Sequence, residues 1–281
     1  MDFSDFNVSI VGLGLIGGSF AKALKKCGFK NLWAIDINQD NLKKAEELNI
    51  IDKGFTEPSI PLNKSDITII CLYPELVINF IQDNIKEFKK NSIITDVAGV
   101  KSNIVHEIQN LISNDIDFIG GHPIAGKESK GFEISSEKIF ENADYILTPT
   151  SQNKPENIKI LKEIIRSIKF KKIIEVTVEE HDEMIAYVSQ LPHIIATVIM
   201  NNGMVDKENI CIGGSFKDIT RVSNVNSDLW VELLIKNRSN VIKQIEYLKS
   251  QLGCIEELLK LKKSNELKRI FDKGREKKER I

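Results

Sequence analysis

Residues Val8–Leu24, VSIVGLGLIGGSFAKAL, decide how the chain folds. A β-branched apolar run leads straight into Gly12-x-Gly14-x-x-Gly17, and a helical apolar pattern follows without a gap. A GxGxxG alone is weak, but between a strand and a helix it marks a dinucleotide-binding turn. Gly12 permits the tight turn, Gly14 lets a pyrophosphate approach the backbone, and Gly17 lets helix and strand pack closely. The backbone N–H groups of the first helical turn, from Leu15 and Ile16 onward, then face the phosphates with the positive end of the helix dipole behind them. The next apolar run, LWAID, ends at Asp36, nineteen residues after Gly17. A carboxylate there accepts hydrogen bonds from the adenosine ribose and repels a 2′-phosphate, so the expected cofactor is NAD rather than NADP.

Working outward, short apolar runs recur at VSIVGL, LWAID, ITIICL, SIITDV, DFIGG and YILTPT, most of them separated by helix-like stretches. Such alternation predicts a parallel sheet with helices on both faces, an α/β Rossmann-type doubly wound domain over residues 1–176. SQNKPENIKILKEIIRSIKF reads as a helix with Pro155 near its start, and KKIIEVT as a last strand. Strand signals fade after Thr177, predicting an all-α C-terminal domain over 177–281. It is expected to be helical from Val178 to Asn202, broken at the Gly-rich CIGGSFKD, and helical again from about Ser227. Val241, Ile245, Leu248, Leu252, Ile255 and Leu259 follow a heptad-like spacing suited to packing against another helix or another chain.

Composition narrows the partners. Lys plus Arg total 39 against 40 Asp plus Glu, so no basic excess points to nucleic acid. The basic end, KGREKKER, reads as a solvated helix terminus. Four well-separated cysteines without a Cys-x-x-Cys pair predict no metal site and reduced thiols in a cytoplasmic protein. With no apolar run of transmembrane length and no signal-like start, the chain is expected to be neither exported nor membrane-embedded.

One further stretch stands out. In IGGHPIAGKE, residues 119–128, three glycines and a proline surround one of only four histidines. Ligands of a doubly wound sheet sit outside the carboxyl ends of its strands, and DFIGGHP is expected to set His122 just past such an end. An imidazole with a reference pKa of about 6.5 can accept a proton there near neutral pH, the alternative being a histidine satisfied by loop hydrogen bonds. CLYPEL ends the apolar run ITIICL, placing Tyr73 and Pro74 near the nicotinamide end of the cofactor or in a simple strand-stopping loop. Residue chemistry thus reaches a dehydrogenase whose histidine takes the proton of an alcohol, and no substrate.

GLGLIGGS, GGHPIAG, ILTPT, SQLPH, and SFKDITR followed by DLW, in this order, resemble the prephenate/arogenate dehydrogenase family over nearly the whole chain. The resemblance implies NAD-dependent oxidative decarboxylation of prephenate to 4-hydroxyphenylpyruvate and carbon dioxide in tyrosine synthesis, with arogenate as the alternative substrate. The substrate would lie between the sheet domain and the helical domain. His122 would draw off the ring hydroxyl proton, Arg221 would hold a substrate carboxylate, and His193 would shape the pocket, with Ser189 and Gln190 lining it and Trp230 nearby. The resemblance also implies a homodimer built through the C-terminal helices.

Two departures from the family pattern matter. TDVAGVK places Ala98 and Gly99 where many members carry Gly-Ser, so that serine's help to the histidine is absent or supplied by water or another side chain. Lys127 follows HPIAG where other members place a small hydroxyl residue; it either pairs with the substrate's side-chain carboxylate or is a solvated loop lysine. The sheet starts near residue 7, which predicts a monofunctional enzyme without a fused chorismate mutase. The rivals are a β-hydroxyacid-type dehydrogenase, disfavoured because EEHDEMIAYVSQLPH contains no lysine, and a non-catalytic NAD-binding sensor, supported by the missing serine.

Overall fold

Short apolar runs rich in β-branched residues must find partners in a sheet, and seven of the eight strands here carry at least one such residue. The computed structural model describes residues 2–126, 131–207 and 210–280. Its strands are β1 Asn7–Val11, β2 Asn31–Ile35, β3 Lys53–Phe55, β4 Ile67–Ile70, β5 Ile93–Asp96, β6 Asp117–Pro123, β7 Asp144–Thr148 and β8 Lys172–Glu175. They form one sheet in the order β3-β2-β1-β4-β5-β6-β7-β8. The order reverses between β1 and β4, where a doubly wound sheet opens its ligand crevice. Consecutive residues bury on opposite faces. Ile10, Ile69, Ile93 and Ile119 enter one core with Phe20, Phe140 and Tyr145. Val11, Ile70, Ile94 and Phe118 enter the other with Val77, Ile81 and Ile104.

The structure departs from the sequence-based expectations at several points. β3 is an additional strand, only three residues long and paired to β2 alone, too short for its pattern to register. The sheet is not wholly parallel: β7 runs antiparallel to β6 and parallel to β8. A crossover helix is what returns a chain to run parallel. Between β6 and β7 the described residues hold only the 3-10 turn Glu137–Phe140, whereas helix Pro155–Ser167 links β7 to β8. His122 lies inside β6, paired with Ile146, rather than beyond the strand. The parallel partner β5 stops pairing at Ile119, so His122 does stand past the end of the parallel sheet. Finally, the glycines of CIGGSFKD open helix Gly214–Thr220 instead of only breaking one.

The rest of the chain is helical. Val178–Ile185 begins with a capping box, in which the Glu180 N–H donates to Thr177 and the Thr177 N–H donates back to the Glu180 carboxylate. It continues through a π-helical turn, Ala186–Gln190, into Leu191–Met200. Pro192 has no N–H to close a normal α-turn, which accounts for the wider turn before it. Contrary to expectation, the helical run Val178–Met200 contains an 18-residue window of mean hydropathy 1.3, long and apolar enough to cross a bilayer by length and composition alone. Helices Ser227–Lys236, Arg238–Lys260 and Ser264–Lys278 complete the fold. Along the heptad-like stripe Val241 is buried, whereas Leu252 and Leu259 are 56% and 61% exposed.

Candidate active site

The glycine turn joins β1 to helix Leu15–Leu24. Gly12 has φ +88°, and a Cβ there would fall 2.8 Å from the Cys71 carbonyl oxygen. At Gly17 a Cβ would overlap the Gly12 carbonyl, so helix and turn touch backbone to backbone. Gly14 faces open space, as an approaching phosphate requires. The helix has no side-chain cap and no acidic residue in its first turn, so the N–H groups around Leu15 and Ile16 suit an anion. Asp36 closes β2 and braces the turn: its carboxylate accepts the Leu13 N–H at 2.6 Å and the Asn38 N–H at 2.7 Å. These residues fit a dinucleotide.

Across the crevice, Tyr73 precedes helix Pro74–Asn84, and Pro74 is buried at its start. The Asn226 side-chain amide donates to the Tyr73 hydroxyl at 2.5 Å, and Lys236 pairs with Glu75 at 2.5 Å. This loop therefore ties the sheet to the helical region instead of merely ending a strand.

His122 is anchored by what its neighbours leave out. A Cβ at Gly121 would fall 2.4 Å from the Tyr145 hydroxyl and 2.9 Å from the Asp96 carbonyl oxygen, so the strand can pass there only as glycine. The Asp96 carboxylate accepts the Gly121 N–H at 3.2 Å, the Ala98 N–H at 3.0 Å and the Lys101 ammonium. Both side chains of that ion pair are fully buried.

Behind the imidazole, Nδ1 of His122 lies 2.9 Å from Nε2 of His181. His181 Nδ1–H donates to Asp182 at 2.7 Å, and the Asp182 carboxylate also accepts the N–H groups of Lys101 at 2.8 Å and Ser102 at 2.9 Å. It thereby caps helix Ser102–Leu111 from a different element. In front, a Cβ at residue 99 would sit 3.8 Å from His122 Nε2 and 3.2 Å from a Leu233 methyl. Burial, then His181 and Lys101, hold the His122 pKa well below the ordinary imidazole value. Burial also lowers His181, with Asp182 opposing the shift. For Asp182, burial alone would raise the pKa, but the His181 and Ser102 hydrogen bonds bring it below the usual value.

The other expected residues are placed as follows. His193 Nδ1–H donates to the Ser189 carbonyl at 2.8 Å, and its ring stacks on Trp230 with centroids 3.9 Å apart. Arg221 opens the turn Arg221–Ser223, which packs against the helix carrying His193. Gln190 does not line a pocket with its polar end. It is 1% exposed, donating to the Leu233 carbonyl and accepting from Asn237, so its amide is spent between helices. Lys127 lies outside the described residues.

Sequence reasoning missed His181, Asp182, Lys101 and Asp96. A signal was present for two of them. Val178, His181, Asp182 and Ile185 share the buried face of one helix, and two polar residues in an apolar stripe require partners.

Two family descriptions match the chain: prephenate dehydrogenase, nucleotide-binding domain, over residues 20–174, and prephenate dehydrogenase, dimerization domain, over 177–273. A prephenate dehydrogenase of Lactococcus lactis is 30% identical, covering 95% of this chain and 75% of the relative. The structure of A. aeolicus prephenate dehydrogenase in complex with hydroxyphenyl propionate and NAD+ superposes with TM-score 0.89 at 30% identity, covering 98% of each chain. Synechocystis arogenate dehydrogenase superposes with TM-score 0.85 at 27% identity, covering 97% of this chain and 99% of that one. On the turn, the histidine and these matches together, the chain belongs to the prephenate dehydrogenase family.

Proposed function

We propose that this protein uses NAD to convert prephenate to 4-hydroxyphenylpyruvate and carbon dioxide, with His122 as the proton acceptor. The observation that carries the assignment is His122 itself, which stands past the parallel sheet with Nε2 toward Gly99 and Leu233, at the seam with the helical region. NAD supplies a hydride acceptor when bound, held by the turn from Gly12 to Gly17 with Asp36 toward the ribose.

His122 Nε2 takes the proton of the substrate's ring hydroxyl as the hydride leaves the carbon bearing it. Loss of the ring carboxylate as carbon dioxide then sends its bonding electron pair into the ring, which becomes aromatic. The resulting phenolate oxygen recovers the proton from His122, so the histidine ends neutral and no net proton is released. Held below the usual imidazole value, His122 is already unprotonated at neutral pH. Arg221 suits a substrate carboxylate through its planar fork of donors. His193, stacked on Trp230, would form a wall of the same pocket, with Ser189 beside it.

The test is NADH formation with prephenate and with arogenate, each against NAD and NADP. Turnover of prephenate with NAD is expected. Turnover of arogenate alone would favour the second reading, which the likeness to the Synechocystis enzyme supports, and silence in all four mixtures would sink both. We read the active form as a homodimer joined through the C-terminal helices, supported by the apolar residues exposed there and by the name of the matched domain. Sedimentation equilibrium tests it, a monomer at all concentrations being the contrary result. A cytoplasmic location is consistent with four free cysteines, and fractionation of the source cells would test it.

A further inference from the structure

We propose that His181 and Asp182 are positioning residues that set the tautomer of His122, holding the proton on Nδ1 and presenting a bare Nε2 toward the space beside Gly99. This deepens the functional reading above and rests on it for its meaning in catalysis. One chain of hydrogen bonds leaves each of its protons a single place. The Asp182 carboxylate accepts three N–H groups, from Lys101, Ser102 and His181, and has no proton of its own to give. His181 must therefore carry its proton on Nδ1, 2.7 Å from that carboxylate. Burial keeps this imidazole neutral, so its Nε2 is bare and can only accept. The one hydrogen bond that then fits the 2.9 Å contact is donation from His122 Nδ1–H. Nε2 of His122 is left as the acceptor.

The front of the ring has no comparable restraint from residue 99. Gly99 brings no side chain, and a Cβ there would already press on Leu233 at 3.2 Å. Orientation of the imidazole comes from behind, across 59 residues of sequence. When Nε2 takes a proton, the charge on His122 is stabilised through His181 toward a carboxylate fixed by two backbone N–H groups. A capping role for Asp182 alone would not require the adjacent residue to be a histidine in contact with the catalytic ring.

The first test needs no substrate. With 15N-histidine labelling, two-bond 15N–1H spectra distinguish the two tautomers, and four histidines give few signals to assign, His122→Asn and His181→Phe marking two of them. The Nδ1–H form is expected for both His122 and His181 at neutral pH; an Nε2–H form of His122 overturns the proposal. Second, His181→Phe removes both polar atoms and keeps the ring. It should lower kcat about 10²-fold, the scale of a misplaced proton acceptor, with the prephenate KM within about twofold. His181→Gln, whose carbonyl can accept from Nδ1–H, should recover much of that loss. Equal kcat in the wild type and the Phe variant, or no gain from Gln over Phe, would refute the relay. If no cyclohexadienyl substrate turned over but the spectra showed Nδ1–H, the tautomer assignment would stand and the substrate reading alone would fall.

Discussion

The sheet half and the helical half bury their residues in different ways. Most fully buried apolar side chains belong to the sheet half, where two continuous cores fill both faces of the strands. The helical half adds few: Val178, Ile185, Ala186, Leu191, Ala196, Leu233 and Val241 are buried. Tyr187, Val198, Val231, Ile235, Leu252 and Phe271 stay exposed. Val178 and Leu233 join one of the sheet cores, and polar contacts add to them: Asp182 on the Lys101 and Ser102 backbone, Asn226 on the Tyr73 hydroxyl, and Lys236 on Glu75. One half is complete as a single chain, and the other has apolar faces suited to a second copy. The proposed catalytic wiring crosses from one to the other, since His122 comes from the sheet and His181 from a helix.

Four changes would break or sharpen this contrast. The largest effect is expected from His122→Asn, which leaves both cores intact. kcat should fall about 10³-fold while NAD affinity, measured by fluorescence titration, stays nearly constant. In the wild type, kcat/KM should hold as pH drops through about 6.5 and decline only below it, because the active neutral imidazole persists under a lowered pKa. A decline centred above pH 7 would contradict that environment.

Next is Lys101→Met, aimed at the sheet half. It strips the ammonium from a carboxylate that is itself fully buried, and a cost of about 3–5 kcal/mol is expected from urea unfolding. Less than about 1 kcal/mol would mean that the backbone N–H groups of Ala98 and Gly121 suffice for Asp96. Arg221→Ala probes the helical half, where the turn Arg221–Ser223 packs on the helix that carries His193. Loss of a charge-assisted contact should raise the prephenate KM roughly ten- to a hundredfold, with kcat less affected. An unchanged KM would remove Arg221 from the binding site.

The smallest change in monomer stability is expected for Leu252→Glu with Leu259→Glu, both exposed. Unfolding free energy extrapolated to the monomer should move by no more than about 0.5 kcal/mol per site, while sedimentation shifts from dimer to monomer. A variant that sediments as a dimer would place the proposed interface elsewhere on the helical half.

Much of this was legible in one dimension, and the limits were physical. The glycine turn is a local device: backbone space at Gly12 and Gly17, an uncapped helix start, and a carboxylate at the end of the next strand all lie within about one βαβ unit. His122 stood out for the same reason, because its flanking glycines record how closely Tyr145 and Asp96 press on the strand. Sequence alone therefore determined the cofactor turn, the α/β character and the histidine. Only tertiary structure decided the rest. The reversal of β7 depends on a connection that lacks a crossover helix, not on the pattern of the strand itself. The amide of Gln190 turned inward because Leu233 and Asn237, on later helices, claimed both of its ends. His122 with His181, and Asp182 with the Lys101 and Ser102 N–H groups, became partners through burial, where a polar group left unpaired costs more than any local preference can offset. Periodicity records which face of an element is buried, but the polar partner waiting there is set by a segment far away in the chain.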